Sequence, residues 1–159
     1  MEEITRLRAA FSGEYTATER AQSVPGDLRI GWGQSLLLLI LASSRGQRCS
    51  LQKMHFLAHL SRTARSRQHT REVLARQRGS SGLSVRIEPW VNRAAAFAAA
   101  NGLVTVRDGK ALNLTDQGKA AVKALRAAGV LAEEAAFLDD VSRFTTEKVV
   151  ESILRMEEF

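Results

Sequence analysis

Hydrophobic positions follow helical spacing over most of this chain. Residues 34–44 are apolar on every side, which predicts a fully buried helix. After a turn at 45–47, Ser50 is placed to cap a second helix with an apolar stripe. That stripe comprises Leu51, Met54, Leu57, Ala58 and Leu60. The polar, basic stretch 61–79 predicts an exposed helix, or a loop followed by a helix.

The pattern changes after the flexible joint Gly79–Gly82. Leu83, Val85 and Ile87 alternate with polar residues, which predicts a short strand. Pro89 suits the first position of a helix that continues to Ala100 and ends at Asn101-Gly102. The residues expected to face inward from this helix are Trp90, Val91, Ala94, Phe97 and Ala98.

A β-hairpin gives the strongest local signal. Residues 103–106 and 111–114 flank Asp108-Gly109, a pair that favours a two-residue turn because both positions need positive φ. Thr115 then caps a predicted helix over 116–128, which Gly129 ends. Further helices are predicted over 132–141 and 147–156, the second capped by Thr145 or Thr146.

The two ends of the chain differ from its middle. Near the start, an amphipathic stretch precedes a turn signal at 23–27; its apolar members are Ile4, Leu7, Ala10 and Phe11. The predicted organisation is an N-terminal helical arm and linker (1–33), a core (34–129) and an acidic C-terminal helical extension (130–159). We expect residues 34–128 to form one cooperative core.

The middle of the chain resembles a bacterial winged helix-turn-helix domain. The resemblance covers residues 34–128 and is clearest in AAAFAAANGLVTVRDGKALNLTDQGKAAV, residues 94–122. There a helix ending in Asn-Gly leads into a hairpin "wing", and a Leu-Thr-x-x-Gly entry opens the next helix. The expected fold is therefore mostly α with a small β-hairpin wing, carrying helical extensions at both termini.

The resemblance implies that the helix before the hairpin contacts DNA. That helix begins Glu88-Pro89-Trp90-Val91-Asn92-Arg93, and Asn and Arg are suited to contact adenine and guanine edges. Trp90, Asn92 and Arg93 are thus candidate DNA-binding residues, with Arg107 and Lys110 at the wing tip. The alanine run that follows Arg93 departs from the family pattern and suits close packing against another helix.

Charge adds a second candidate surface. The net charge is +6, with six arginines and one glutamate between residues 61 and 78 but three basic and eight acidic residues from 130 to 159. A basic body attracts polyanions, so Arg62, Arg65, Arg67 and Arg71 are predicted phosphate contacts. The same cluster could be a solvated surface, or a docking surface for an acidic partner or another copy's acidic C-terminal segment.

Motifs for catalysis or metal binding do not stand out. His55 and His59 have metal-ligand spacing, but no Glu lies between them, and boundary histidines are the preferred interpretation. No phosphate loop or nucleophile motif is found, so we expect no enzyme activity, no metal and no cofactor. One cysteine, no secretory signal and a longest apolar run of seven residues predict a cytoplasmic protein without membrane contact.

Two functions follow. The first is a DNA-binding winged-helix protein, a transcriptional regulator that acts as a homodimer on duplex DNA. The alternative is a non-catalytic winged-helix adaptor in a larger complex. In layout the chain is similar to accessory subunits beside chromosome-type ATPases and to middle components of ABC-type three-component anti-phage systems.

Overall fold

The computed structural model describes residues 26–75 and 86–156. Within these ranges the chain forms seven α-helices, one short 3-10 helix and a three-stranded sheet. In chain order the elements are α1 (Gly26–Ser43), the 3-10 helix (Arg45–Gln47), β1 (Arg48–Ser50), α2 (Leu51–Ser61), α3 (Ala64–Ala75), α4 (Pro89–Ala100), β2 (Val104–Arg107), β3 (Ala111–Leu114), α5 (Asp116–Ala127), α6 (Ala132–Val141) and α7 (Glu147–Met156). The predicted N-terminal amphipathic stretch and the joint at 79–82 lie outside the described residues.

Helix α1 is the centre of the fold. Residues 36–41 are all at most 2% exposed, because α1 contacts α2, α4, α5, α6 and the sheet. The prediction of a buried helix is confirmed, but the helix begins at Gly26 rather than near residue 34. Residues 29–31 near its start are exposed, and this part of the sequence lacks the continuous apolar run that marked the rest.

The sheet is antiparallel with strand order β1-β3-β2. The predicted hairpin is confirmed: Asp108 and Gly109 both have positive φ, and the Lys110 N–H donates to the Arg107 carbonyl at 3.0 Å. Three residues separate the paired Arg107 and Ala111, so the loop is one residue longer than predicted.

The third strand is not where the sequence pattern put it. It is β1, which pairs with β3 and places Cys49 opposite Leu112. The predicted strand near residues 83–87 is wrong in its described part, because residues 86–88 are irregular and Ile87 is 77% exposed. Alternation alone could not distinguish a strand from an extended approach to the α4 N-cap, Glu88.

The Leu-Thr-x-x-Gly stretch has a physical explanation. The Thr115 hydroxyl accepts a hydrogen bond from the Gly118 N–H at 3.0 Å and donates one to the Gly102 carbonyl at 2.6 Å. A Cβ at Gly118 would clash with the Leu103 carbonyl oxygen, so only glycine lets α5 approach the start of the hairpin this closely.

The C-terminal helices share the core with the rest of the domain. Phe137 and Leu138 of α6 are fully buried, and Val150 and Ile153 of α7 belong to the same hydrophobic cluster as α1. At the start of α7, the Glu147 carboxylate accepts hydrogen bonds from the Ser50 N–H and hydroxyl at 3.0 and 2.7 Å. Thus α7 is joined to the beginning of α2, and the predicted extension packs as part of the body.

Candidate interaction surfaces

The nine predicted DNA-binding residues fall in three places: the end of α2 with α3, the first turns of α4, and the hairpin tip. The structure shows which of these side chains are free and which are already paired. It also shows a groove beside α4 that the sequence did not predict.

Arg67 on α3 is held inside the molecule. Its side chain is 7% exposed, donates to the Ser61 carbonyl at 2.9 Å and pairs with Glu133 at 2.6 Å and Glu134 at 3.2 Å. A guanidinium can engage several acceptors at once because its five N–H donors form a rigid fork. Arg67 thus makes three hydrogen bonds within the chain and is largely buried, and a phosphate contact at this residue would compete with them.

Arg71, one turn further along α3, also has an acidic partner on α6, but its side chain is 40% exposed. Its Nη2 lies 3.0 Å from Asp140 Oδ2, and its guanidinium stacks over the Phe137 ring at 5.5 Å. We call this surface, formed by Arg67, Arg71 and the acidic residues of α6, the paired face. Two arginines of the basic cluster thus pair with the acidic C-terminal segment of the same chain, a pairing that the sequence analysis had considered only for another molecule.

Arg62 and Arg65 are the exposed members of the predicted cluster. Arg62 is 61% exposed and lies 3.5 Å from Glu88 Oε1. Arg65 is exposed and has no ion pair within the described ranges. At the hairpin tip, Arg107 and Lys110 are also exposed.

A polar cluster joins the end of α2 to the start of α4. His59 Nδ1 lies 3.0 Å from Glu88 Oε1, and Glu88 is 6% exposed. Burial raises the pKa of the Glu88 carboxyl, but the hydrogen bond from His59 and the charge of Arg62 outweigh it and hold the pKa below its ordinary value. Glu88 therefore stays ionised at neutral pH.

His55 belongs to the same cluster and holds Asn92. Its Nδ1 accepts from the Glu88 N–H at 3.1 Å, so its Nε2 carries the proton and faces Asn92 Oδ1 at 3.3 Å. Both predicted boundary histidines thus have structural partners. In the part of the chain that the structure describes, no group of three or more His, Cys, Asp or Glu side chains could hold a metal ion.

The exposed side of α4 differs from the prediction. Val91, Ala94 and Ala98 face inward as expected, but Phe97 is 51% exposed, while Ala95, which was not among the residues expected to face inward, is 6% exposed. The buried face of α4 therefore includes Ala95 and not Phe97.

Phe97 lies beside a groove of about 570 Å³ between α1 and α4. Its lining includes Arg29, Ile30, Gly33, Trp90, Arg93 and Phe97. Arg29 and Ile30 were missed because residues 1–33 were assigned to an arm. The signal that could have found them is the helical spacing of Ile30, Gly33 and Leu37, which continues the α1 pattern upstream.

Cys49 is not a candidate nucleophile. It is 2% exposed, and burial, with a smaller contribution from Glu147, raises the pKa of its thiol to about 12. The thiolate is the reactive form, so this thiol stays protonated and inert at neutral pH.

Comparisons with known proteins found no relative: a scan of protein-family models, a search of curated proteins and a search of solved structures each gave no match. In the two described ranges, no helix has the length and hydrophobicity needed to cross a membrane.

Proposed function

We propose that this chain is a non-catalytic, cytoplasmic adaptor that binds another protein through a domain of winged-helix type. The observation that carries the proposal is the outer surface of α4. In a DNA-binding member, this helix would present polar side chains to base edges. Here the exposed polar residues Asn92 and Arg93 are confined to the start of the helix, and beyond them it presents Ala96 and Phe97 beside the exposed Ile30 of α1, a surface suited to protein contact.

The winged-helix assignment is supported by element order. A helix, a strand and a second helix precede α4, and the hairpin follows it, with β1 pairing to β3. The N-terminus of α4 lies at the end of α2 through the contacts of Glu88 with His59 and Arg62. A departure is that 27 residues, including α3, separate α2 from α4, where a helix-turn-helix has a turn of three or four.

The paired face supports the same proposal. Arg67 and Arg71 belong to the largest cluster of basic residues in the sequence, and both are engaged by carboxylates of α6. The free positive charge of this cluster is correspondingly smaller than the sequence count implies. An adaptor role also agrees with the layout that resembles accessory subunits of larger assemblies.

The test is to isolate the tagged full chain from its native cell at gentle salt, with and without nuclease. We expect a protein present in stoichiometric amount that remains after nuclease treatment. Recovery of DNA alone, with no protein partner, would contradict the proposal.

A second candidate, DNA binding, is favoured by the exposed Arg65, Arg93, Arg107 and Lys110. It is tested by titrating duplex DNA at several salt concentrations. Each phosphate contact contributes a slope of about 0.9 in log affinity against log salt. We expect Arg65→Ala to lower the slope by about 0.9 if the duplex contacts the exposed side of α3 that carries Arg65. Absence of salt-dependent binding would reject this candidate.

A further inference from the structure

The groove between α1 and α4 combines exposed apolar side chains, an aromatic base and positive charge. Ile30 is 44% and Phe97 51% exposed, and both line the groove. Large apolar side chains left exposed next to each other, and rimmed by polar groups, mark interaction sites. The two residues come from different helices, so their proximity is a product of the fold.

The base of this groove is preorganised. Trp90 packs against Trp32 with ring centroids 5.0 Å apart, and a Cβ at Gly33 would lie only 3.0 Å from Trp90 Cε3. Glycine at position 33 therefore lets the Trp90 ring lie close against α1. An aromatic base held in this way needs little ordering when a ligand binds, which favours affinity.

The charge of the groove has one sign. Arg29 and Arg93 are both exposed, both line the groove, and neither has an ion pair within the described residues. Among the residues that the structure describes, the lining contains no acidic side chain. On the paired face, by contrast, Arg67 and Arg71 each have carboxylate partners. Within the described ranges, the groove therefore lacks the acidic residues that complete the other surface.

We propose that the groove binds an amphipathic helix of a different protein, whose apolar residues insert between Ile30 and Phe97 and whose carboxylates pair with Arg29 and Arg93. This inference rests on the proposed adaptor function and names the chemistry of its partner. A groove between two helices commonly binds a third, amphipathic helix, whose apolar anchor residues are spaced three and four positions apart. The packing of α3 on acidic α6 shows that this chain already joins arginines to an acidic helix.

Two other occupants fit less well. A symmetric contact with a second copy would place the same patch against itself, bringing Arg29 and Arg93 near their own equivalents. Duplex DNA would satisfy the arginines but would cover Ile30 and Phe97 with charged phosphates. An acidic, apolar helix satisfies both parts of the lining.

The experiment places a photo-crosslinking amino acid at position 97 in the full chain, expressed in its native cell. A matched probe at Val106, which is also 51% exposed but lies on β2, is the control. We expect position 97 to cross-link to a segment of another protein that carries at least two carboxylates beside helically spaced apolar residues. Val106 should not label that segment.

Charge reversal then tests the pairing. Arg29→Glu with Arg93→Glu should weaken partner binding about tenfold for each reversal, roughly 100-fold together. Arg45→Glu with Arg48→Glu changes the net charge equally on exposed residues outside the groove, and should leave binding within about twofold. Replacing two acidic residues in the partner's cross-linked segment with lysine should raise the affinity of the double charge-reversal variant at least tenfold.

Cross-links to residues 1–25 of the same chain, to a second copy, to DNA or to a segment without carboxylates would each overturn the proposal. Failure of the charge swap to restore binding would also overturn it. If a stoichiometric partner is purified but the groove variants bind it normally, the adaptor function survives and the groove assignment fails. If no partner is purified, both fail.

Discussion

Two faces of this domain carry arginines in opposite ways. On the paired face, Arg67 and Arg71 of α3 are engaged by Glu133, Glu134 and Asp140. On the groove face, Arg29 and Arg93 lie beside exposed apolar side chains and have no ion pair among the described residues. One set of arginines stabilises the fold, and the other is available to a partner.

The comparison shows that a count of basic residues does not locate a binding surface. Three of the six arginines in the densest cluster of the sequence lie on α3, and the fold uses two of them to hold α6. The groove arginines are isolated in sequence and become neighbours only when α1 and α4 pack. Which arginines are free to bind a partner therefore has to be determined from the ion pairs in the three-dimensional structure.

Leu39→Asp should have the largest effect on stability, because unfolding of the domain would abolish the paired face and the groove together. Leu39 is fully buried in α1, which contacts α4 and α6. A buried, unpaired carboxylate costs several kcal/mol, against a total stability of about 5–15 kcal/mol. We expect an unfolded chain by circular dichroism.

Ile30→Asp on the same helix is the matched control. Ile30 is 44% exposed, so its carboxylate stays hydrated and melting should remain near that of the wild type. If Leu39→Asp also melts like the wild type, the burial assigned to α1 is wrong.

Arg67→Ala should weaken the paired face. Breaking a fully buried ion pair costs about 3–5 kcal/mol, and because Glu133 is 80% exposed we expect less, about 2–3 kcal/mol. The melting temperature should fall by roughly 5–10 °C. Arg65→Ala removes an exposed arginine from the same helix and should change stability by at most about 0.5 kcal/mol. Equal melting of the two variants would show that the pairing with α6 adds nothing.

This contrast between Arg65 and Arg67 also marks what sequence could predict. Caps and turns depend on neighbours in the chain, and Ser50, Thr115, Gly102 and Asp108-Gly109 were all predicted correctly. Whether Arg67 is free depends on Glu133, 66 residues away, and no local pattern contains that information.

The remaining errors have the same origin. Strand β1 has three residues and exists because β3 pairs with it, so its own sequence is too short to give a signal. The orientation of Phe97 depends on which side of α4 meets α1, and an alanine-rich helix offers several sides that are almost equally apolar. The α4 side of the groove was unpredictable for this reason, whereas the spacing of Ile30, Gly33 and Leu37 indicates its α1 side.

Glu88→Gln should have an intermediate effect on the stability of the fold, since Glu88 joins α4, one wall of the groove, to α2. The folded pKa lies below the ordinary 4.5, so the ionised carboxylate stabilises the fold at neutral pH. We expect a loss of about 1–3 kcal/mol at pH 7, measured by urea unfolding. The difference from the wild type should shrink as pH falls below 4.5 toward the folded pKa. A difference independent of pH would show that the charge of Glu88 is not what matters.

Phe97→Ser should have the smallest effect on stability. Half of its surface is already in water, so we expect a loss of at most about 1 kcal/mol in thermal melting. Val91→Ser, on the buried side of the same helix, should cost several times more. A large loss for Phe97→Ser would mean that its ring supports the fold, and the contrast between the two faces would disappear.

The junction around Leu103 makes the hairpin move together with the helices on both sides of it. The Leu103 amide donates to the carbonyl of Ala98 in α4, and the Leu103 carbonyl accepts from Thr115, whose hydroxyl in turn holds the Gly118 amide of α5. Because these bonds share the residues Leu103 and Thr115, and a close approach at Gly118 leaves no space for slippage, opening one disturbs the others. Amides at 103, 115 and 118 should then exchange with deuterium at a common slow rate, so that a force applied at the hairpin tip reaches α4 and α5 at once.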